Sequence, residues 1–149
     1  METEIRVAEI EVSYRPAIAS KPIVKGALDA FTHLRAFYPD DTISLQEQFV
    51  VAYLNKASRV LGIYKASTGG ISATIADPRL IFGVGLRICA YGIILSHNHP
   101  SGNISPSRQD VELTQKIKEG ARIFDMKVLD HLIISPQGEY YSFANEGLL

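Results

Sequence analysis

The order of strand-like and helix-like segments predicts a layered α/β domain with a mixed β-sheet. Three observations carry this expectation. The apolar runs Phe49–Leu54, Gly92–Leu95 and Val128–Ile134 have strand length and are rich in Val, Ile and Leu. Between them lie stretches with apolar residues three and four apart, each opened by a cap-forming residue. The short polar joint Asn55-Lys56-Ala57-Ser58 suits a hairpin, so the sheet is not wholly parallel.

Residues 4–12 alternate as a strand whose phase slips once near Ala8, the pattern of a bulge. Ser20 and Pro22 resemble an N-cap and an early helical position, and Ile23, Ala27, Ala30 and Leu34 then recur at helical spacing, predicting a helix to about Phe37. Tyr38-Pro39-Asp40-Asp41 is a turn. Phe49–Leu54 and Arg59–Tyr64 form the hairpin, and Thr68-Gly69-Gly70 breaks the pattern. Asp77-Pro78 starts a second helix, with Leu80, Val84 and Ile88 on its apolar face and Cys89 as a small core residue. After strand Gly92–Leu95 and a polar loop from Asn98 to Pro106, Ser107 opens a third helix with Leu113, Ile117, Ala121 and Phe124 inward. Val128–Ile134 and Tyr140–Phe143 are the last strands, joined by Pro136-Gln137-Gly138.

Composition excludes several classes. The 149 residues match one domain, 1–149, and 46% hydrophobic with 21% charged content argues against disorder. Fifteen basic against sixteen acidic residues, net −1, leaves no field to hold a phosphate backbone and speaks against direct nucleic-acid binding. Lys116, Lys118 and Arg122 alternate with Glu112 and Glu119, as on a solvated helix face. No apolar run approaches the roughly 20 residues of a membrane span. Met1-Glu2-Thr3-Glu4 lacks a secretory n-region, and a single cysteine rules out an internal disulfide, so a cytoplasmic location is expected.

The chemistry concentrates in His97-Asn98-His99-Pro100-Ser101-Gly102-Asn103-Ile104-Ser105-Pro106-Ser107-Arg108-Gln109-Asp110. Histidines at i and i+2 of a strand end project to one side and can share a cation. Asp110, from the first turn of the next helix, can add an oxygen. Two nitrogens, one carboxylate and an open position suit catalytic zinc, which can bring the pKa of water to about 7. The same residues also allow a reading without metal. Ser107-Arg108-Gln109-Asp110 is a capping-box pattern, and buried histidines are often satisfied by backbone groups. The tripeptide His-Asn-His does not make an HNH nuclease, whose residues are dispersed over a longer module.

His97-x-His99, ten intervening residues and Asp110, with Ser107 three before it, resembles the JAMM (MPN+/JAB) metalloprotease motif. More narrowly, His-Asn-His-Pro-Ser-Gly followed by Pro-Ser-x-x-Asp resembles the RadC family of bacterial JAB-domain proteins. The likeness runs from about Glu47 to Tyr141, within a motif-bearing core of 45–143. It implies an α/β/α JAB/MPN (cytidine-deaminase-like) fold and Zn2+ as cofactor, held by His97, His99 and Asp110. It implies Glu47, on an earlier strand, as acceptor of the water proton, ahead of Glu9 and Glu11, and Ser107 as an oxyanion donor. Asp130-His131 resembles a family-typical pair that either orients a ligand or makes a core hydrogen bond. Asn98 and Ser101 are expected to shape the loop, and His33 to lie at the surface or an interface.

The implied activity is a zinc-dependent hydrolase, a metallopeptidase or isopeptidase acting on a peptide or protein substrate. Asn98 stands where deubiquitinating members have Ser or Thr, and their ubiquitin-gripping insertions are lacking. The residues before Glu47 contain no Gly-rich hairpin like that of the N-terminal helix-hairpin-helix region of longer RadC proteins, so the DNA-repair label is expected to transfer poorly. The alternatives are a zinc-containing, non-catalytic binding module in a DNA-repair or mobile-element complex, and a metal-dependent nuclease. The presence of Glu47 and Ser107 disfavours the first; the net charge and the small number of carboxylates disfavour the second. Cytidine-deaminase chemistry is set aside because Pro-Cys-x-x-Cys ligands are absent.

Overall fold

A computed structural model describes residues 7–17, 21–69 and 76–149. Its elements run α1 (Ala27–Arg35), β1 (Gln48–Leu54), β2 (Val60–Thr68), α2 (Pro78–Arg87), β3 (Gly92–Asn98), α3 (Arg108–Ile123), β4 (Lys127–Ile134) and β5 (Tyr140–Ser142). Among the described residues the strands form one five-stranded sheet in the order β2-β1-β3-β4-β5. Only β3 and β4 are parallel, joined through α3; the other neighbours are antiparallel. The mixed sheet is therefore as expected.

Helices cover both faces. Val50, Ala52 and Leu54 of β1 point with Ile94, Leu132 and Ile134 toward Ala30 and Leu34 of α1. Phe49, Val51 and Tyr53, with Ile93 and Leu95, point the other way, onto Ile81 and Phe82 of α2 and Ile117 and Ala121 of α3. Every residue of β1 and β3 is buried, which explains their continuous apolar runs in place of alternation.

The caps form where the sequence places them: the Asp77 side chain accepts from Arg79 N, with Pro78 opening α2, and Ser107 opens α3 in a full capping box. Asn55 Oδ1 accepts from Ala57 N and Arg59 N, closing the β1–β2 hairpin. No helix among the described residues is long and apolar enough to cross a membrane.

Several local expectations are corrected. Residues 7–12 carry no strand and are exposed, tied to the body farther on through Tyr14 Oη donating to Leu61 O and Arg87 to Val12 O. Residues 4–6 and Ser20 lie outside the described residues. Helix α1 begins at Ala27, not near Ile23, and ends at Arg35. Residues 22–24 instead lie along the hairpin: Ile23 bridges Arg59, Val24 N donates to Ser58 O, and Pro22 O accepts from Val60 N. In α2 the fully inward residues are Ile81, Phe82 and Gly85, while Leu80 is 48% exposed. Cys89 is exposed and past the helix end in a left-handed conformation, φ 55°, so it is no core residue. Phe124 is also largely exposed, although its ring leans on Phe82.

Candidate metal centre

His97 is on the last turn of pleat in β3, on the α3 face, and His99 follows the strand end with its N–H donated to Ile134 O. The loop then returns the chain to the N-terminus of α3, where Asp110 sits in the first turn. A carboxylate is favoured there by the unpaired N–H groups and the helix dipole. Asp110 Oδ2 accepts from Ser107 N at 2.8 Å, and Ser107 Oγ accepts from Asp110 N at 3.1 Å, so the capping box holds both residues in place.

The side chains meet at one point. His97 Nε2 and His99 Nε2 are 3.0 Å apart; Asp110 Oδ1 is 3.2 Å from the first and Oδ2 is 3.5 Å from the second. Ligands on a tetrahedral ion with bonds of about 2.0–2.1 Å stand roughly 3.3–3.4 Å from each other. The two imidazole nitrogens and the two oxygens of the Asp110 carboxylate thus approach each other at spacings close to those around a zinc-sized ion. Glu47 Oε1 lies 3.8 Å from His99 Nε2, longer than those edges. One ligand atom each from Glu47, His97 and His99 falls within 4.8 Å of the others, a group able to hold a metal. Nitrogen and oxygen donors of this kind suit zinc and other divalent transition ions.

His99 Nδ1 lies 2.6 Å from the carbonyl of Asn103. A carbonyl only accepts, so Nδ1 carries the proton and Nε2 presents its lone pair inward. Asn103 is itself set by the loop, its N–H donating to Ser101 Oγ and its Oδ1 accepting from Ser105 N. His97 is almost wholly buried, stacked against Phe49, while Glu47, His99 and Asp110 keep 16–19% of their side chains exposed. The centre therefore keeps partial access to solvent.

Electrostatics follow from this crowding. Burial alone would raise the Asp110 carboxyl, but the His97 and His99 imidazoles beside it, with the Ser107 N–H, outweigh it and hold it well below the usual range. For His99, burial pushes the imidazole down, and Asp110, the Asn103 carbonyl and Glu47 more than reverse that, so its pKa is raised.

Glu47 precedes β1 and is not within a strand. What holds it is Asn98, buried between the two histidines but on the opposite face of β3. Its Nδ2 donates to Ile43 O at 2.8 Å and Gln46 O at 2.9 Å, and its Oδ1 accepts from Gln48 N at 2.7 Å. The backbone on either side of Glu47 is thus pinned to the strand that carries the histidines. The sequence by itself assigns Asn98 only to shaping the loop. The signal for more was an amide inside a fully buried strand, which must find partners for all its polar atoms.

The pair Asp130-His131 is divided by the strand. Asp130 faces α1, where its carboxylate accepts from Ser142 Oγ at 2.6 Å and from His131 N and Ala144 N, holding the chain after β5. Burial pushes its pKa up against those bonds. His131 faces α3: its Nε2 is 2.8 Å from His97 Nδ1 and its Nδ1 is 2.6 Å from the hydroxyl of Thr114. No sequence motif singles out Thr114; its place four residues after Asp110, one turn along the same helix, is the available signal. His33 is half-buried on α1 and Cys89 lies beyond α2, neither of them near the centre.

A family model described as the RadC-like JAB domain matches residues 24–148. A UPF0758 protein of Flavobacterium johnsoniae is 43% identical over 125 residues, covering 84% of this chain and 53% of the relative. A UPF0758 protein of Porphyromonas gingivalis is 39% identical over 143 residues, covering 96% of this chain and 63% of the relative. One from Methanosarcina mazei is 37% identical over 112 residues, covering 75% of this chain and 48% of the relative. The chain thus spans only about half to just under two thirds of the length of these relatives.

Proposed function

Because the chain belongs to the RadC-like JAB domain family, we propose that it is a zinc-dependent hydrolase cleaving peptide or isopeptide bonds. The observation that carries this reading is the convergence of His97, His99 and Asp110 at ligand–ligand distances, with Glu47 just beyond them. Zinc bound there would polarise a scissile carbonyl and lower the pKa of water to about 7.

The chain's own residues supply the remainder. His97 and His99 offer their Nε2 nitrogens, and the Asp110 carboxylate offsets the charge of the ion. Glu47, held by the Asn98 clamp, takes the proton of the attacking water and returns it to the leaving amine. The Ser107 hydroxyl accepts from Asp110 N and keeps its own hydrogen to donate to the oxyanion, so capping and catalysis are compatible. A cytoplasmic setting belongs to this reading, with the exposed Cys89 thiol kept reduced.

The test is elemental analysis of protein purified without added metal, followed by a peptide and isopeptide substrate screen. About one zinc per chain is expected, lost in the His97→Ala/His99→Ala variant. Glu47→Gln should retain zinc and lose turnover by about 10²–10⁴-fold. Zinc without turnover on any peptide bond would favour a binding module instead. No zinc, even on addition, would sink the hydrolase reading.

A further inference from the structure

Beyond the ligands, a line of hydrogen bonds runs from His97 into the core. The Thr114 hydroxyl donates to the backbone carbonyl of Asp110 at 2.6 Å. A hydroxyl has one hydrogen, so toward His131 Nδ1, 2.6 Å away, its oxygen can only accept. His131 therefore carries its proton on Nδ1. In the neutral ring Nε2 then holds a lone pair, and that lone pair accepts from His97 Nδ1 at 2.8 Å. The lone pair of His97 is thereby left on Nε2, the atom that faces His99 and Asp110.

We propose that Thr114 and His131 are positioning residues that impose the Nδ1–H tautomer on His97 and so aim its free nitrogen at the metal. This rests on the reading of His97 as a metal ligand. The line joins the Asp110 backbone carbonyl through Thr114 and His131 to His97, tying the geometry of two ligands together.

The surroundings allow no substitute partner. Thr114 and His131 are both fully buried. His131 stacks on Phe143 at 4.7 Å and meets the edge of Phe49 at 5.7 Å, so the ring cannot turn toward water. A free neutral imidazole prefers the proton on Nε2, so the tautomer here is the less favoured one and needs the Thr114 acceptor. Without it, His131 Nε2–H would donate to His97 Nδ1, and His97 would turn a protonated Nε2 toward the ion. His99 reaches the same tautomer by another route, the Asn103 carbonyl, and serves as an internal control.

The experiment is ¹⁵N-detected NMR of the histidine rings in metal-free protein, with zinc affinity measured by chelator competition. The wild-type chain is expected to show His97, His99 and His131 all protonated on Nδ1. Thr114→Val should convert His131 and His97 to the Nε2–H form, leave His99 unchanged, and weaken zinc binding about 10–100-fold. Thr114→Ser should restore both readouts. Finding His97 Nδ1 without a proton in the wild type, which needs no variant to fold, would overturn the proposal. So would a folded Thr114→Val chain with unchanged tautomers and affinity. Ring tautomers are read without metal or substrate, so failure to cleave peptides bears only on the hydrolase reading.

Discussion

Replacing Asn98 with alanine removes three hydrogen bonds at once, two buried and one part-buried: two donated to Ile43 O and Gln46 O, and one accepted from Gln48 N. Each is worth about 1 kcal/mol net, which sets the expected loss near 3 kcal/mol. Hydration recovers little of it, because Asn98 is fully buried and Ile43 and Gln48 nearly so. In a chain of this size that loss corresponds to roughly 6–12 °C in Tm. Urea unfolding followed by circular dichroism measures it directly, with an unchanged slope showing that the folded state keeps its compactness. Asn55→Ala is the control, removing two bonds at an exposed hairpin turn where water can replace them. Zinc affinity in folded Asn98→Ala should stay near wild type, since His97, His99 and Asp110 belong to β3, its end and α3. Turnover should fall, since the segment carrying Glu47 is released. A cost below about 1 kcal/mol, or no larger than that of Asn55→Ala, would refute the clamp.

Three further outcomes test other parts of the structure. Ser107→Ala should destabilise by about 1 kcal/mol and Ser107→Gly by only a few tenths, because Gly is tolerated at an N-cap; equal losses in denaturant melts would argue against the cap. Gly85→Ala places a Cβ 2.7 Å from Met126 Cε and 3.0 Å from Tyr53 Cε1. The Tyr53 ring is held by its bond to Ile81 O, so overpacking should exceed the gain in helix propensity and cost about 1 kcal/mol net; a raised Tm would contradict this. The Asp77 carboxyl lies below its ordinary 3.8, chiefly through the Arg79 side chain and then its backbone N–H. A depressed folded value stabilises above the unfolded pKa, and that contribution is lost as pH falls through the folded one. The advantage of wild type over Asp77→Asn should therefore be present at neutral pH and close in acid; a gap independent of pH would exclude the charge as its source.

Whatever depends on neighbours in the chain was legible in the sequence. The Asp77 and Ser107 caps, the Asn55 hairpin and the long apolar strands are local choices, decided by one side chain and the few residues after it. The pattern His97-x-His99 with Asp110 was legible for the same reason: strand alternation and a short loop bring those three together within fourteen consecutive residues. Tertiary structure decided what depends on partners far away. Residues 22–24 join the hairpin because Ser58, Arg59 and Val60 offer them backbone bonds, and no helical periodicity reveals that competition. Cys89 falls outside the core because α2 ends two residues earlier. Asn98 reaches back some 50 positions to hold Glu47, and Thr114 and His131 meet only because α3 packs on β4. A sequence displays the donors and acceptors of such buried residues; which of them become paired is settled when packing excludes water and every remaining polar atom must find a partner.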